Sequence, residues 1–308
     1  IYFTILKKAE DKLVRLGDIA EVRRGFTTGV NEFFYIEDVT EKIQISQIKP
    51  KINNIGDFSN IEGIKEAGLR IARNKKGDDY WLIEEGFLKP VLKSPRECKT
   101  IIVNPKKLKY KIFMSHESKN ELKGKKALDY IKWGEREKFH EKPTCKNRKK
   151  WWSLIEPRIS DLLWVMTFRE RFFVPINKGA LCDARFYNIY FDNKEHKRKL
   201  TYLLNSTLTL FFVEILARGY GGGGGPIDVK VYEVEDLFVL DPSIAIYIND
   251  IFDYPIKSFF EYIRFNVLKP IREQMPNPLP NCKFVDDIIF DALGLTDEER
   301  KEVYWATA

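Results

Sequence analysis

The chain has 308 residues, of which 44% are hydrophobic, and it carries a net charge of +7 at pH 7. This length can bury a substantial core, so we expect a globular protein of one large or two modest domains. The four cysteines and three histidines form no C-x-x-C, H-x-H or H-E-x-x-H spacing, which argues against a metal centre and indicates reduced thiols in a cytoplasmic protein.

Positive charge is concentrated in residues 91–150, which carry 19 basic and 7 acidic groups. The excess lies in "NPKKLKYK", "KGKK" and "KPTCKNRKKWW", where basic residues are mixed with aromatic ones. Such a block is expected of a nucleic-acid surface. A lysine-rich solvated face is the alternative.

The first residues, "IYFTILKKAEDK", lack the layout of a signal peptide, and the chain begins without methionine. We therefore expect a piece of a longer protein. The next stretch, "LGDIAEVRRGFTTGVNEFFYI", predicts a strand, a turn bounded by Gly25 and Gly29, and a second strand. The exposed, hairpin-like tip would carry Arg23, Arg24, Thr27, Thr28 and Asn31.

This tip has the chemistry for reading bases. Arginine suits guanine and asparagine suits adenine, and all five polar side chains can donate to phosphates or base edges. The tip is therefore the first choice for contacts in a DNA groove. An ordinary polar turn is the alternative.

In the basic block, "KTIIVNP" predicts a strand, and "NELKGKKALDYIKWGE" predicts a helix with Leu122, Leu128 and Ile131 on its apolar side. The segment that follows would neutralise phosphates through Lys146, Arg148, Lys149 and Lys150. Trp151 and Trp152 would anchor it, with Trp152 also a candidate DNA contact, unless the indoles belong to the core.

A strand-rich run follows in "LLWVMTF", "RFFVPI" and "ALCDARFYNIYF". Strands and helices interleave without a regular βαβ rhythm, so we expect an α+β fold, a mixed strand-rich domain with interleaved helices. Second-choice DNA contacts are Lys132, Trp133, Arg185 and Tyr187, although Arg185 could instead pair with Asp183 within the fold.

A run of glycines interrupts the sequence in "ARGYGGGGGPIDVK". The stretch 200–217 before it has helical apolar spacing and polar residues such as Asn205 and Glu214, which predicts a buried helix and no membrane span. "IDVKVYEV" after it predicts a strand. Gly219, Gly221 and Gly224 match G-x-G-x-x-G, but a dinucleotide turn needs the strand first and the helix second. A flexible loop after a helix cap at Gly219 stays open as an alternative.

After Pro242 the chain again shows helical apolar spacing, and the proline-rich "MPNPLPN" separates two segments. In the second segment, Thr296 followed by Glu298 and Glu299 predicts the start of a helix. We therefore expect a helical C-terminal extension.

Several of these stretches occur in an order that resembles a known family. They include "LGDIAEVRRGFTTGVNEFFYI", "KPVLKSP", "YIKWGE", "KNRKKWWSL", "CDARFYNIYF", "RGYGGGGGPIDVKVYEVEDLFVLDP" and "LGLTDEERKEVYWA". Together they resemble the C-terminal target-recognition region of adenine-specific DNA methyltransferases of restriction-modification systems, with a specificity domain like that of the Taq methyltransferase. The resemblance covers roughly residues 13–308.

The resemblance implies a division of labour. A preceding catalytic domain would bind S-adenosylmethionine and flip the target adenine, while this region reads double-stranded DNA. Residues 1–12 would be a remnant of that domain or a linker, 13–242 the recognition domain and 243–308 the helical extension. The family's N-P-P-Y tetrapeptide is not in this sequence, so we expect no catalytic residue and no cofactor in this chain, and neither a metal nor a membrane as partner.

The resemblance also implies that the glycine segment follows DNA. Gly221, Gly222 and Gly223 lack Cβ atoms, so their backbone can approach a sugar-phosphate chain closely. Arg218 would add a charge, Tyr220 a hydroxyl or a stacking face, and Lys230 with Asp228 could position the loop. Asp228 and Lys230 could equally reflect the alternation of a strand.

Two other classes of function compete with this interpretation. A magnesium-dependent nuclease would need converging acids and a lysine, for which "PRECK" offers Glu97 and Lys99 with Glu84 or Glu85 upstream, and "IDVK" offers Asp228 and Lys230. A protein-interaction scaffold would use the basic block to bind an acidic partner.

Overall fold

The computed structural model describes residues 1–74, 79–216, 218–219, 225–244 and 253–308. Short strands and helices interleave along the chain, which confirms the predicted α+β class. The helices are α1 (Tyr2–Ala9), α2 (Leu16–Ile19), α3 (Asn31–Phe34), α4 (Ile45–Ile48), α5 (Ile61–Glu66), α6 (Lys126–Arg136), α7 (Pro143–Lys146), α8 (Lys194–Leu203), α9 (Thr207–Leu216), α10 (Val231–Glu235), α11 (Phe259–Ile263), α12 (Pro280–Ala292) and α13 (Asp297–Thr307). The strands are β1 (Leu13–Arg15), β2 (Glu21–Arg24), β3 (Tyr35–Asp38), β4 (Leu69–Asn74), β5 (Asp79–Glu84), β6 (Leu88–Leu92), β7 (Ile102–Val103), β8 (Tyr110–Phe113), β9 (Leu162–Val165), β10 (Thr167–Phe168), β11 (Ile176–Asn177), β12 (Leu181–Cys182), β13 (Phe186–Tyr190), β14 (Arg218–Gly219), β15 (Ile227–Asp228) and β16 (Phe238–Leu240).

One layer is a five-stranded sheet in the order β2-β13-β9-β11-β7. β13 lies antiparallel to β2 and β9, so that Tyr187 faces Arg24 on one side and Trp164 on the other. Every residue of β9 and β13 is buried, as expected of short runs rich in aromatic and aliphatic residues. The predicted strands in "LLWVMTF" and "ALCDARFYNIYF" are therefore confirmed, whereas "RFFVPI" enters a strand only at its last residue, Ile176.

A second layer is a six-stranded sheet in the order β12-β6-β8-β3-β4-β5. Helix α6 packs against it and buries Tyr130 and Trp133. The Tyr130 ring stacks on Phe33 with centroids 4.7 Å apart, and its hydroxyl donates to the Phe33 carbonyl at 2.6 Å. Aromatic stacking and a satisfied buried hydroxyl together fix the helix to the sheet.

The predicted helix in "NELKGKKALDYIKWGE" is confirmed, but it begins at Lys126. The Glu84 carboxylate accepts from the backbone N–H groups of Lys126 and Ala127 at 2.6 and 2.9 Å. These are donors that a first helical turn leaves without partners, so a residue distant in sequence sets where the helix begins.

Strands β2 and β3 belong to different sheets, so the predicted hairpin around Gly25 and Gly29 is wrong. Val22 packs into the core of the five-stranded sheet and Phe33 into that of the six-stranded sheet. The apolar residues on either side of the turn therefore bury themselves in separate cores. Residues 25–30, called loop 25–30 below, carry the chain from one sheet to the other.

The stretch 200–217 was predicted as one helix, but α8 and α9 are bent by 71° relative to each other. At the break, Asn205 accepts from the Val174 N–H at 2.8 Å and donates to the Val174 carbonyl at 2.9 Å. The Ser206 hydroxyl donates to the Leu203 carbonyl at 2.7 Å. Because such side-chain bonds compete with helical ones, the helix ends here and a new one starts.

The predicted strand "IDVKVYEV" is also only partly correct. It pairs as a strand at β15 and then forms α10. The Glu233 carboxylate accepts from the backbone N–H of Lys230 at 2.8 Å, a contact that supports a helix start. The local hydrophobic pattern did not reveal this cap.

The C-terminal helices pack on α9. Asp286 is 1% exposed and accepts from the N–H and hydroxyl of Thr207 at 2.8 and 2.6 Å and from the Tyr304 hydroxyl at 2.9 Å. Burial raises the pKa of Asp286 to about 6. Thr296 caps α13 with Glu299, so the predicted helix start is confirmed.

The described residues 253–279 are less helical than predicted, because α11 is the one α-helix among them. Residues of α1, of α12 and α13 and of the five-stranded sheet share one buried cluster. The proposed boundaries at residues 12 and 242 stay predictions.

Within the described ranges, no single helix is long and apolar enough to cross a membrane. One bent pair, Glu195–Leu203 with Thr207–Leu216, meets that test by length and composition when its two helices are taken together.

Candidate nucleic-acid interface

Loop 25–30 is held between two other parts of the chain. A Cβ at Gly25 would collide with the carbonyl oxygen of Asp183, and one at Gly29 would stand 2.6 Å from the Cβ of Thr144. Gly29 also has φ +80°, a conformation that glycine adopts at little cost. The loop is therefore packed against the turn 182–185 on one side and against α7 on the other.

Thr28 does not lie on an exposed tip. It is 1% exposed, and its hydroxyl donates to the Asn31 side-chain oxygen at 2.6 Å. The prediction of Thr28 as a groove contact is wrong, because its hydroxyl fixes the loop from within. Thr27 and Asn31 are exposed, as predicted.

Arg23 and Arg24 are both exposed, but they lie on opposite faces of β2, because side chains alternate along a strand. Arg23 forms an ion pair with Glu21. Arg24 donates from Nε to the Ala184 carbonyl at 3.3 Å, and it faces Tyr187 across the strand pair. The five-residue tip predicted from the sequence is therefore divided between two surfaces.

Arg185 lies beside the Arg24 contact and is exposed. Its Nη1 donates to the Lys93 carbonyl at 3.3 Å, while its Nε lies 3.8 Å from Asp183. Asp183 is already engaged, since it accepts from the Tyr35 hydroxyl at 2.5 Å. Arg185 thus faces solvent and lies near Asp183, and its role as a DNA contact stays a prediction.

Lys93 was not singled out from the sequence, yet the structure places it at the same surface. Its ammonium lies 4.6 Å from the ring centroids of both Tyr35 and Tyr110. Cation–π contacts with two rings hold the charge in place. The family-like motif "KPVLKSP" contains this lysine, but nothing in its spacing indicates that two tyrosines from other strands surround it.

The basic segment 142–150 adjoins loop 25–30 through Thr144. Lys146 and Lys149 are exposed, as a phosphate-binding role requires. Arg148 is half-buried: its guanidinium lies 5.6 Å from the Phe34 ring centroid and donates to the Trp151 carbonyl at 3.4 Å. Arg148 therefore anchors the segment, which differs from the predicted contact with phosphate.

Three predicted contacts are buried aromatic residues. Trp133 and Trp152 are 7% and 6% exposed, and Tyr187 is 2% exposed with its hydroxyl donating to the Val229 carbonyl at 2.8 Å. The predictions of Trp133, Trp152 and Tyr187 as DNA contacts are wrong, because their rings fill the core. Trp151 is buried as well, so both indoles belong to the core, as the alternative interpretation held.

Lys132 is exposed but lies elsewhere. It lines a polar cleft of about 380 Å³ with Lys126, Arg136 and Asn54, and no residue of loop 25–30 lines that cleft. The structure therefore does not join Lys132 to the surface around Arg24 and Arg185.

The strands that flank the glycines pair antiparallel, with Arg218 opposite Asp228 through their backbones. β15 lies between β10 and β14 in a three-stranded sheet. This sheet adjoins the end of the five-stranded one, since the Val229 N–H donates to the Met166 carbonyl and the Met166 N–H to the Arg185 carbonyl, at 3.0 Å each. Lys230 is exposed and forms an ion pair with Asp228. The predicted contacts Tyr220, Gly221, Gly222 and Gly223 lie outside the described residues.

The nuclease triads do not assemble. Glu84 caps α6, as described above, and Glu97 accepts from the backbone N–H groups of Lys93 and Ser94 at 3.1 and 3.0 Å. Asp228 is paired with Lys230 and accepts from the Thr167 hydroxyl. In the described part of the chain, no group of three or more His, Cys, Asp and Glu side chains could hold a metal ion.

Comparisons with known proteins give two positive findings. The family model described as the C-terminal domain of the type II methyltransferase M.Eco57I matches residues 3–227. The fold is similar to the crystal structure of the type IIG restriction endonuclease BpuSI, with a TM-score of 0.57 and 11% sequence identity over 99% of this chain and 32% of that one. The chain thus spans about a third of that enzyme's length. No curated protein matches the sequence.

Proposed function

The chain belongs to the family of type II methyltransferase C-terminal domains represented by M.Eco57I, and on this premise we propose that it recognises double-stranded DNA. It would act as the specificity domain of an adenine-specific, S-adenosylmethionine-dependent methyltransferase in a restriction-modification system. Double-stranded DNA and an N-terminal methyltransferase domain of the parent protein would be its partners, in the cytoplasm.

The observation that carries the proposal is the gathering of separate basic side chains at one end of the five-stranded sheet. Arg24, Arg185 and Lys93 are linked through the Ala184 and Lys93 carbonyls, and the strand that leads to Lys230 is bonded to the same turn. Loop 25–30 joins this set to Lys146 and Lys149 through the contact of Gly29 with Thr144. Such a surface suits a polyanion.

Different parts of this surface suit different tasks. Lys146 and Lys149 are exposed point charges that can neutralise phosphates without reading sequence. Arg24, Thr27 and Asn31 lie on or beside a clamped loop, and a side chain on a rigid support can present donors and acceptors to base edges. We assign base reading to loop 25–30 with the flanking Arg24 and Asn31, and phosphate binding to the segment 142–150.

The chemistry of methyl transfer would belong to the parent's other domain. The described residues bring no set of acidic and nucleophilic side chains together at this surface, and S-adenosylmethionine would bind outside this chain. The nuclease alternative lacks support from geometry, because Glu84 and Glu97 are used as caps. The experiment below must distinguish DNA recognition from the remaining alternative, a scaffold that binds acidic proteins.

The test is binding of the chain to a labelled DNA duplex by fluorescence anisotropy between about 50 and 200 mM salt. We expect an affinity that falls by about a factor of 10³ or more over this range if about six phosphates are contacted. Absence of binding at the lowest salt would contradict the proposal. For adenine specificity, mass spectrometry of DNA treated with the parent protein should detect N6-methyladenine and no methylcytosine.

A further inference from the structure

A cleft opens beside β10, at the end of the five-stranded sheet where Arg185 lies. It has a volume of about 300 Å³, and apolar side chains of Val165, Phe168 and Phe173 form part of its lining. Three arginines, Arg96, Arg169 and Arg171, also line it, against one acidic residue, Glu170.

The cleft is continuous with the candidate interface. The Arg185 guanidinium bonds to the Lys93 carbonyl, and the chain runs from Lys93 directly into the turn that carries Arg96. On the other side, the Thr167 hydroxyl donates to Asp228 at 3.0 Å, the residue that pairs with Lys230. The cleft therefore lies between the turn that carries Arg185 and strand β15.

The charges of the cleft are poorly neutralised by the protein itself. Arg96 and Arg169 make no side-chain hydrogen bond or ion pair to any described residue. Arg171 donates from Nη2 to the Cys98 carbonyl at 3.0 Å, while its buried Nε has no partner. By contrast, Lys119 and Lys125 in the basic block are paired with glutamates.

Three guanidinium groups around one small cleft repel each other, and this repulsion is relieved when an anion binds between them. The planar fork of a guanidinium matches the oxygens of a phosphate, which it binds through two parallel hydrogen bonds. The arrangement therefore indicates a ligand that carries phosphate.

We propose that this cleft, lined by Arg96, Arg169 and Arg171, binds backbone phosphates of one DNA strand as a contact separate from loop 25–30. The inference rests on the proposed function. Phe168 and Phe173 are only 5% and 3% exposed, so they offer no open ring face on which a base could stack. The cleft contributes affinity for DNA of any sequence, and it positions the strand next to β15.

The experiment compares wild type with R96A, R169A and the double variant R96A/R169A in DNA binding over a range of salt. Neither side chain has a partner in the described residues, so the melting temperature should not change. The matched control is R198A: Arg198 is exposed in α8 and also makes no side-chain bond to a described residue. Arg198 follows Lys197 in the chain, and Lys197 pairs with Asp161. Asp161 bonds to Ile189, at the end of β13 opposite to Arg185, so Arg198 lies away from the cleft.

We expect R96A/R169A to lower the salt slope by about 1.8, or 0.9 per phosphate lost, and to weaken binding at least tenfold on all sequences alike. R198A should leave the slope unchanged. If wild type binds DNA and the double variant binds with the same slope, the cleft assignment is overturned while the proposed function stands. If wild type does not bind DNA, the proposed function itself fails.

A second arm separates a DNA strand from a free phosphate ligand. Inorganic phosphate and AMP are titrated into wild type and into R96A/R169A by calorimetry. We expect weak or no binding of either probe to wild type, because a strand supplies several phosphates at once. Tight binding of AMP that the double variant abolishes, together with unchanged DNA binding, would show that the cleft serves a free nucleotide and would overturn the assignment.

Discussion

Gly29 lies against Thr144, so close that a Cβ on the glycine would stand 2.6 Å from the threonine Cβ. This contact joins loop 25–30 to α7 and thus connects the part assigned to base reading with the part assigned to phosphate binding. Both the space and the positive φ of Gly29 require the absence of a side chain.

Gly29→Ala should therefore displace the loop. We expect a loss of stability of about 1 to 2 kcal/mol from backbone strain and crowding, with weaker DNA binding and poorer discrimination between sites. Gly68→Ala is the matched control, since Gly68 also has positive φ but a Cβ there would meet nothing within 4 Å. Thermal melting and DNA titrations compare the two. Equal effects on DNA binding would contradict the role of the Gly29 contact.

Arg148 and its lysine neighbours should respond differently to substitution. Arg148→Ala removes contacts with Phe34 and Trp151, so we expect the melting temperature to fall. Lys146→Glu with Lys149→Glu reverses two exposed charges, so we expect unchanged melting and weaker binding to all DNA sequences. If the double reversal leaves DNA affinity unchanged, the segment 142–150 is only a solvated surface.

Arg23 and Arg24 provide a test of the division of β2 between two faces. Arg24→Ala should reduce discrimination between DNA sites by about 1 to 3 kcal/mol if the guanidinium reads a base. Arg23→Ala should change discrimination much less, because Arg23 pairs with Glu21 on the other face. Selection of binding sites from random duplexes measures both, and equal losses would show that the two faces act together.

The fold class, the strands in "LLWVMTF" and "ALCDARFYNIYF" and the basic character of the surface were predictable, because they depend on local patterns such as the buried run in β9 and the charge surplus in 91–150. Which individual residues are exposed could not be predicted from these local patterns. Thr28, Trp133 and Trp152 looked suitable for contacting DNA, but Thr28 is buried and bonds to Asn31. The two indoles lie in a buried cluster with residues distant in sequence, and Trp133 packs there against Phe33 and Trp81. The positions of Lys93 and Arg185 likewise depend on which strands meet, which local spacing does not encode.

Asp286 predicts a pH dependence of stability. Its pKa is raised from 3.8 to about 6 in the folded protein, so its contribution to stability is complete below pH ~4 and is lost as pH rises through about 6. Over that window the lost contribution is roughly 3 kcal/mol. Asp286→Asn lacks this titration, so the unfolding free energy of the variant should improve relative to wild type between pH 4 and 7. The free energy of unfolding is measured with urea at each pH. If it changes with pH in the same way for the two proteins, the raised pKa of Asp286 is contradicted.

Hydrogen–deuterium exchange with and without a duplex at low salt measures directly where DNA touches the molecule. We predict that DNA slows exchange in loop 25–30, in the turn 182–185 and at Val229 and Lys230, while the cleft that contains Lys132 is unaffected. Protection confined to the Lys132 cleft, with none in loop 25–30, would contradict the account.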